Sequence, residues 1–174
     1  MPQSVPSFAD MLADCHQSAV HLEMRDQYAI GDEASAFEAW RSGHRTNWGD
    51  RDSWWNPFYQ AVSDAAARGI VVRRARVVSE PVTEYIRYEH YITRGNLVAG
   101  EQVRWLPRSR ATDIAFPGND CWLFDECIVR VNHFTGDGVM VGTEVTDDPA
   151  VAKLCGSAFE AVWERGVPHE RYHV

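Results

Sequence analysis

Between Ile70 and Arg108 the sequence concentrates residues that can move protons or grip an anion: Glu80, Glu84, Arg87, Glu89 and His90, then Trp105 and Arg108. Carboxylates and an imidazole so close together could supply acid–base groups, and a guanidinium could fork onto an anionic ligand. The stretch reads as strand, capped helix and strand. Ile70 to Ser79 is Val-rich, and Ser79 is expected to cap a helix with Pro81 in its first turn. That helix should run to about Arg94 and leave through Gly95 and Asn96, before a second strand from Glu101 to Leu106. Val82, Tyr85, Ile86 and Glu89 share one helical stripe, so a carboxylate finishes an apolar face, where burial would raise its pKa. Thr83, Arg87, His90 and Arg94 form a polar stripe beside it. If the two strands pair in parallel, Trp105 and Arg108 come close to the helix start, at the strand ends where α/β sheets favour ligands. The expected ligand site is therefore Glu80, Arg87, Glu89, His90, Trp105 and Arg108. The alternative is plain solvated salt bridging, with Glu84 and Arg87 as an i,i+3 pair.

Other chemistry finds little support. There is no Gly-rich phosphate loop, no HExxH and no CxxC. Cys121, Cys127, His133 and Cys155 match no common zinc spacing, and neither a metal nor a cofactor is expected. Ser/His/Asp and Cys/His triads stay open on composition, but neither nucleophile sits in a motif that would expose it. His16 and His21, five apart on an expected helix, do not align as joint ligands. His133 shares a face with Val129 and Val131 and reads as a hydrogen-bonded core histidine.

The elements that must position these residues follow from pattern. The 174 residues suit one domain, 1–174, with a mainly helical part to residue 69 and an α/β part after it. Ser7 can cap a helix whose face carries Phe8, Met11, Leu12, Cys15, Ala19 and Leu22. A second helix spans about Asp32 to Arg41, and a third opens at Asn56–Pro57 and closes at Gly69. Between them, residues 42–55 form a Trp-rich loop that is either a lid or partner surface or simply pinned to the core by its rings. Alternation along the Val-rich strand puts Arg74 and Arg76 on one side and Arg73 on the other. Arginines on both faces argue against a fully buried central strand unless acidic neighbours pair with them. After Pro117-Gly118-Asn119 comes a meander, Cys121 to Phe124, Cys127 to Phe134 and Val139 to Thr146. A final helix starts at Asp148–Pro149, and the tail from His169 to Val174 is expected to fray. The fold class is α/β (α+β), a mixed sheet of about five strands packed with helices.

The formal net charge is −8, and a phosphate-binding surface needs a basic footprint, so no direct nucleic-acid binding is expected; a local basic patch stays open. No apolar run is long enough to span a membrane, and the N-terminus lacks a signal-peptide layout, so no membrane contact and a cytoplasmic location are expected. The four cysteines should then be reduced and mostly buried.

RVVSEPVTEYIRYE, the following AGE and VRWLPR, together with FADMLADCHQSAVHLEMRDQY, CWLFDECIVRV and EVTDDPAVAKLCGSAFEAVWERGVP, resemble an uncharacterised family of small actinobacterial proteins, a domain of unknown function. The resemblance implies a regulatory setting, because such proteins are often encoded beside helix-turn-helix transcription regulators. The C-terminal half is more remotely similar to phospholipase D-like domains, especially sensor versions attached to regulators. Enzymes of that kind need His-x-Lys-x4-Asp, and here the region reads His133-Phe134-Thr135, so the resemblance implies lost catalysis, with Asp125 kept for structure. The expected function is a non-catalytic protein binding a small anionic ligand or a partner such as a helix-turn-helix regulator. The alternative is an enzyme of specialised metabolism with a Glu/Arg/His pocket at the end of strand 70–79.

Overall fold

A computed structural model describes residues 5–29 and 31–174. Among them, strands β1 (Ser18–Glu23), β2 (Val71–Val78), β3 (Gln102–Pro107), β4 (Cys121–Phe124), β5 (Ile128–Phe134), β6 (Met140–Thr146) and β7 (Val167–Pro168) form one mixed sheet. Their order is β6-β5-β4-β1-β2-β3-β7. β1, β2 and β3 run parallel, as expected for the last two, and the remaining pairs are antiparallel. The sheet is thus wider than the five strands expected, within the expected fold class.

Side chains alternate across each strand, which gives the sheet two different faces. Val20, Leu22, Ala75, Val77 and Leu123 pack with Phe159 and Val162 of helix α5 (Pro149–Arg165) in an apolar core. The opposite face is covered by α1 (Phe8–Ala13), α2 (Gly31–Arg41), α3 (Pro57–Ala67) and α4 (Glu84–Ala99). Here Ala19, Val72 and Trp122 meet Met11, Leu12 and Val62. Phe37 of α2 packs on Tyr85 and Tyr88 of α4, each 5.3 Å away between ring centroids. The caps read from sequence form at α3 and α5: Asn56 accepts the Tyr59 N–H at 3.0 Å and Asp148 the Ala150 N–H at 2.8 Å.

Four expectations are corrected. The first helix stops at Ala13, and Ser18–Glu23 is a strand between β2 and β4. The backbone N–H groups of His16, Gln17 and Ser18 donate to the Asp125 carboxylate at 2.7–3.1 Å instead of continuing a helix. Asp125 therefore does hold structure at its strand end, by joining the α1–β1 connection to the β4–β5 turn. The central helix starts at Glu84, because Thr83 rather than Ser79 accepts the Ile86 N–H, at 3.1 Å. It passes through Gly95, where an added Cβ would lie 2.6 Å from the Tyr59 ring, and ends at Gly100 with φ 102°. The tail does not fray: β7 pairs with β3, and Tyr172 is buried against Trp105, rings 5.5 Å apart and 4° from parallel. Finally, His133 is no core residue; it is half-exposed, with its Nε2 3.4 Å from Glu144.

Candidate functional site

The helix-covered face carries a buried charge cluster at the centre of the sheet. Parallel register sets His21 beside Arg74 and Glu23 beside Arg76. Arg74 donates to Glu23 at 2.9 Å and to Glu101 at 2.8 Å, and Asn96 holds the other Glu101 oxygen at 2.6 Å. The Nε of Arg76 lies 2.9 Å from Glu23, and its Nη1 donates to Glu89 of α4. Tyr85 extends the chain of contacts, its hydroxyl lying between Glu33 of α2 and Glu89, 3.0 Å from the latter. Beyond Glu23, Asp120 accepts the Met24 N–H at 2.9 Å and the Tyr28 hydroxyl. Buried guanidiniums survive here because each meets carboxylates directly, the condition that the sequence pattern of β2 demanded.

A cavity of about 90 Å³ opens among His21, Glu23, Glu33, Arg74, Glu89 and Asp120, bounded on one side by Phe134 and Met140 of the β5–β6 hairpin. The environment separates its titratable groups. Burial, reinforced by Arg74 and Arg76, lowers His21 to about 3, so the ring is neutral. Its Nδ1 has no hydrogen-bond partner, and the ring stacks on Trp122 at 4.3 Å. Burial would raise Glu23, but Arg76 and Arg74 override it and hold the carboxyl near 2. Burial and then the Glu89 charge push Glu33 up to about 8, leaving it protonated at neutral pH. Burial, with Glu23 nearby, raises Asp120 to about 6.

Of the residues expected at the site, only Glu89 lines this cavity. Glu80, His90 and Trp105 come together elsewhere, under the C-terminal segment. The Tyr172 hydroxyl donates to Glu80 at 2.8 Å, His90 Nε2 lies 2.8 Å from the Tyr172 carbonyl, and Trp105 donates to His169 at 3.2 Å. Arg108 clamps strand ends, donating to Met24 and Val77 carbonyls and to Ser79 at 2.5, 3.2 and 3.1 Å. Arg87 is exposed on α4, and Glu84 pairs with Arg41 at 3.0 Å rather than with it. The sequence reading missed His21, Glu23, Glu33 and Asp120. The signal for the first two was the apolar–polar alternation Val20-His21-Leu22-Glu23. No local signal marks Glu33 or Asp120.

A second, larger cleft of about 390 Å³ lies on the α5 face beside Ser18, Arg73, Lys153 and Ser157. It gathers less chemistry: Arg73 is held there by Glu160 at 2.7 and 3.2 Å and lies over the Phe159 ring. Among the described residues no group of three or more His, Cys, Asp or Glu is arranged to hold a metal ion, and no helix is long and apolar enough to cross a membrane.

Fold and site define an α+β protein with a seven-stranded mixed sheet and a charge cluster buried under one face. The chain belongs to the family described as a domain of unknown function (DUF6879), whose pattern matches residues 6–174. A search of curated proteins returns no match. Among solved structures, it is similar to TrmBL2, an archaeal chromatin protein described as showing a novel mode of DNA binding, at 12% identity and a TM-score of 0.43. That similarity covers 91% of this chain and 47% of the other, so the chain spans about half of TrmBL2. It is also similar to NucT from Helicobacter pylori, at 15% identity and a TM-score of 0.47, over 92% of this chain and 87% of the other. The expectation that ruled out direct nucleic-acid binding is corrected against these two neighbours. It rested on the net charge of −8, which belongs to the whole chain and does not describe any one surface.

Proposed function

We propose that the protein is a non-catalytic binding protein that takes a compact cationic group, such as a primary ammonium, in the cavity beside Glu23, Glu89 and Asp120. One observation carries this reading: carboxylates outnumber guanidiniums, and both guanidiniums are already held. Arg74 and Arg76 contact Glu23, Glu89 and Glu101, while Asp120 and Glu33 add two more carboxyls to the same wall. An anion would meet no free cation there, and Arg87, the anion-gripping residue expected from sequence, lies outside. A cavity of about 90 Å³ has room for roughly three waters at ~30 Å³ each, so only a small head group fits. Excess buried negative charge is what a cation relieves. The test is a thermal-shift panel of primary amines against carboxylates and phosphates. An amine at 100 times its dissociation constant should add about 2.7 kcal/mol. The shift should disappear in Glu89→Gln and persist in Arg87→Ala; stabilisation by anions alone would overturn the proposal.

One observation favours an enzyme instead. Neutral His21, whose Nδ1 has no hydrogen-bond partner, and protonated Glu33, a carboxyl able to give up a proton, line the same cavity. Chemical change of a bound amine, lost in His21→Asn with binding retained, would establish that reading.

A further inference from the structure

We infer that a second surface, built by the Trp-rich loop on α3 and α4, binds single-stranded nucleic acid. The loop lays Trp48, Trp54 and Trp55 against Tyr59 of α3 and Tyr91 of α4, neighbouring ring centroids 5.1–5.9 Å apart. The rings are half-buried, so the pinned-loop reading of residues 42–55 describes how the loop is held. It does not account for the arginines. Arg51 lies 3.6 Å over the Trp55 ring, Arg94 5.3 Å over Trp48, and Arg45 5.0 Å over Trp40 and 5.8 Å over Tyr91. Arg87 stands one turn before Tyr91 on the same stripe of α4.

All four side chains are exposed, and none has a carboxylate partner among the described residues. This contrasts with Arg41 nearby, which is taken up by Glu38 and Glu84. Within the loop Arg45 and Arg51 are matched in number by Asp50 and Asp52, and the further guanidiniums are Arg87 and Arg94 of α4. A guanidinium drawn over a ring by cation–π attraction still offers its N–H groups to a phosphate, although in Arg45 Nη1 already donates to the Trp40 and His44 carbonyls at 2.8 and 2.7 Å. Such a group can take a phosphate at its edge and an unstacked base on its face. Bases in a duplex are already stacked and present only phosphates, so the interleaving of rings and guanidiniums fits an unpaired strand. Nothing in this surface overlaps the cavity at Glu23, and the inference stands apart from the proposed cation binding.

Fluorescence anisotropy of the full chain with labelled oligothymidylate tests it. Four phosphate contacts should make log Kd rise with log salt at a slope of about 3. Replacing Arg45, Arg51 and Arg94 together by Gln should weaken binding about tenfold or more at low salt and cut the slope to about 1. Arg165→Gln, which removes an exposed arginine paired with Asp113 on α5, should change neither. An unchanged thermal midpoint in the triple variant shows that its loss is local. The inference is overturned if the oligonucleotide does not bind at low salt, if the folded triple variant binds as tightly, or if polyglutamate or a duplex of equal charge competes equally well.

Discussion

Replacing Arg76 by Gln tests the charge cluster where it is most dependent on one residue. Arg76 is buried on the central strand and faces two carboxylates, Glu23 at 2.9 Å and Glu89. Removing one partner of a buried ion pair leaves the other charge uncompensated and costs about 3–5 kcal/mol. For a chain of this size each kcal/mol moves the thermal midpoint by about 2–4 °C, so a fall of about 6–20 °C is expected. The loss should also depend on pH. In the native protein the arginines hold Glu23 near 2 against an ordinary 4.5. Its contribution is therefore present above about 4.5 and is lost as pH falls through 2. Without Arg76, burial is opposed only by Arg74 and pushes Glu23 upward. The sign then reverses, and stability declines as pH rises through the new, higher pKa. Urea unfolding at pH 5 and pH 7 should show the gap between variant and parent widening with pH. A deficit under about 1 kcal/mol at pH 7, or one equal at both pH values, would refute this account of the cluster.

Glu33 should behave in the opposite sense from native Glu23. Its folded pKa of about 8 lies above the ordinary 4.5, so its contribution is complete below about 4.5 and is lost as pH rises through 8. Glu33→Gln copies the protonated form and should lose less of its thermal midpoint than the parent between pH 7 and 9, above the Asp120 transition near 6 that both share; parallel curves would exclude the assignment. Tyr172→Ala should release the C-terminal segment from Trp105, which is 0% exposed and donates to His169. The cost should be roughly 3 kcal/mol, with hydrogen exchange of the Trp105 indole N–H accelerated in NMR spectra; slow exchange would show that the tail does not guard the ring.

Much of the scaffold was legible because its signals are local. Asn56–Pro57 and Asp148–Pro149 announce helices through caps that need no tertiary partner. The strand at Val71–Val78 and the meander follow from β-branched runs between turn residues. β1 was misread for a definite reason. Ala19 and Leu22 continue the helical face of Met11, Leu12 and Cys15, while Val20 and Leu22, two apart, equally satisfy strand alternation. What decides between the two is Asp125, more than a hundred residues away, whose carboxylate takes the backbone N–H groups of residues 16–18. Gly95 was read as a helix exit on similar grounds, since its reason for being glycine is the Tyr59 ring of another helix.

The candidate site was less legible because it follows from that one misreading. Sequence alone showed arginines on both faces of β2 and required acidic neighbours if the strand were central. With residues 18–23 taken as helix, Glu23 was not available as such a neighbour, and the carboxylates near Pro81 looked free to serve a ligand. Once β1 pairs in parallel with β2, Glu23 falls beside Arg76, Glu101 reaches Arg74 from the start of β3, and Glu89 descends from α4. Each counter-charge comes from a different element. None of the three can therefore leave without exposing an arginine of β2 to unpaired burial, which ties β1, β2, β3 and α4 into one cooperative unit. Glu33 and Asp120 neutralise no arginine there, and burial above all, with Glu89 and Glu23 nearby, raises their pKa values. Each also accepts hydrogen bonds that serve the fold, Glu33 from the Tyr85 hydroxyl and Asp120 from the Tyr28 hydroxyl and the Met24 N–H. What the proposed cation would add is a counter-charge for Asp120, which faces the open cavity without contact to Arg74 or Arg76.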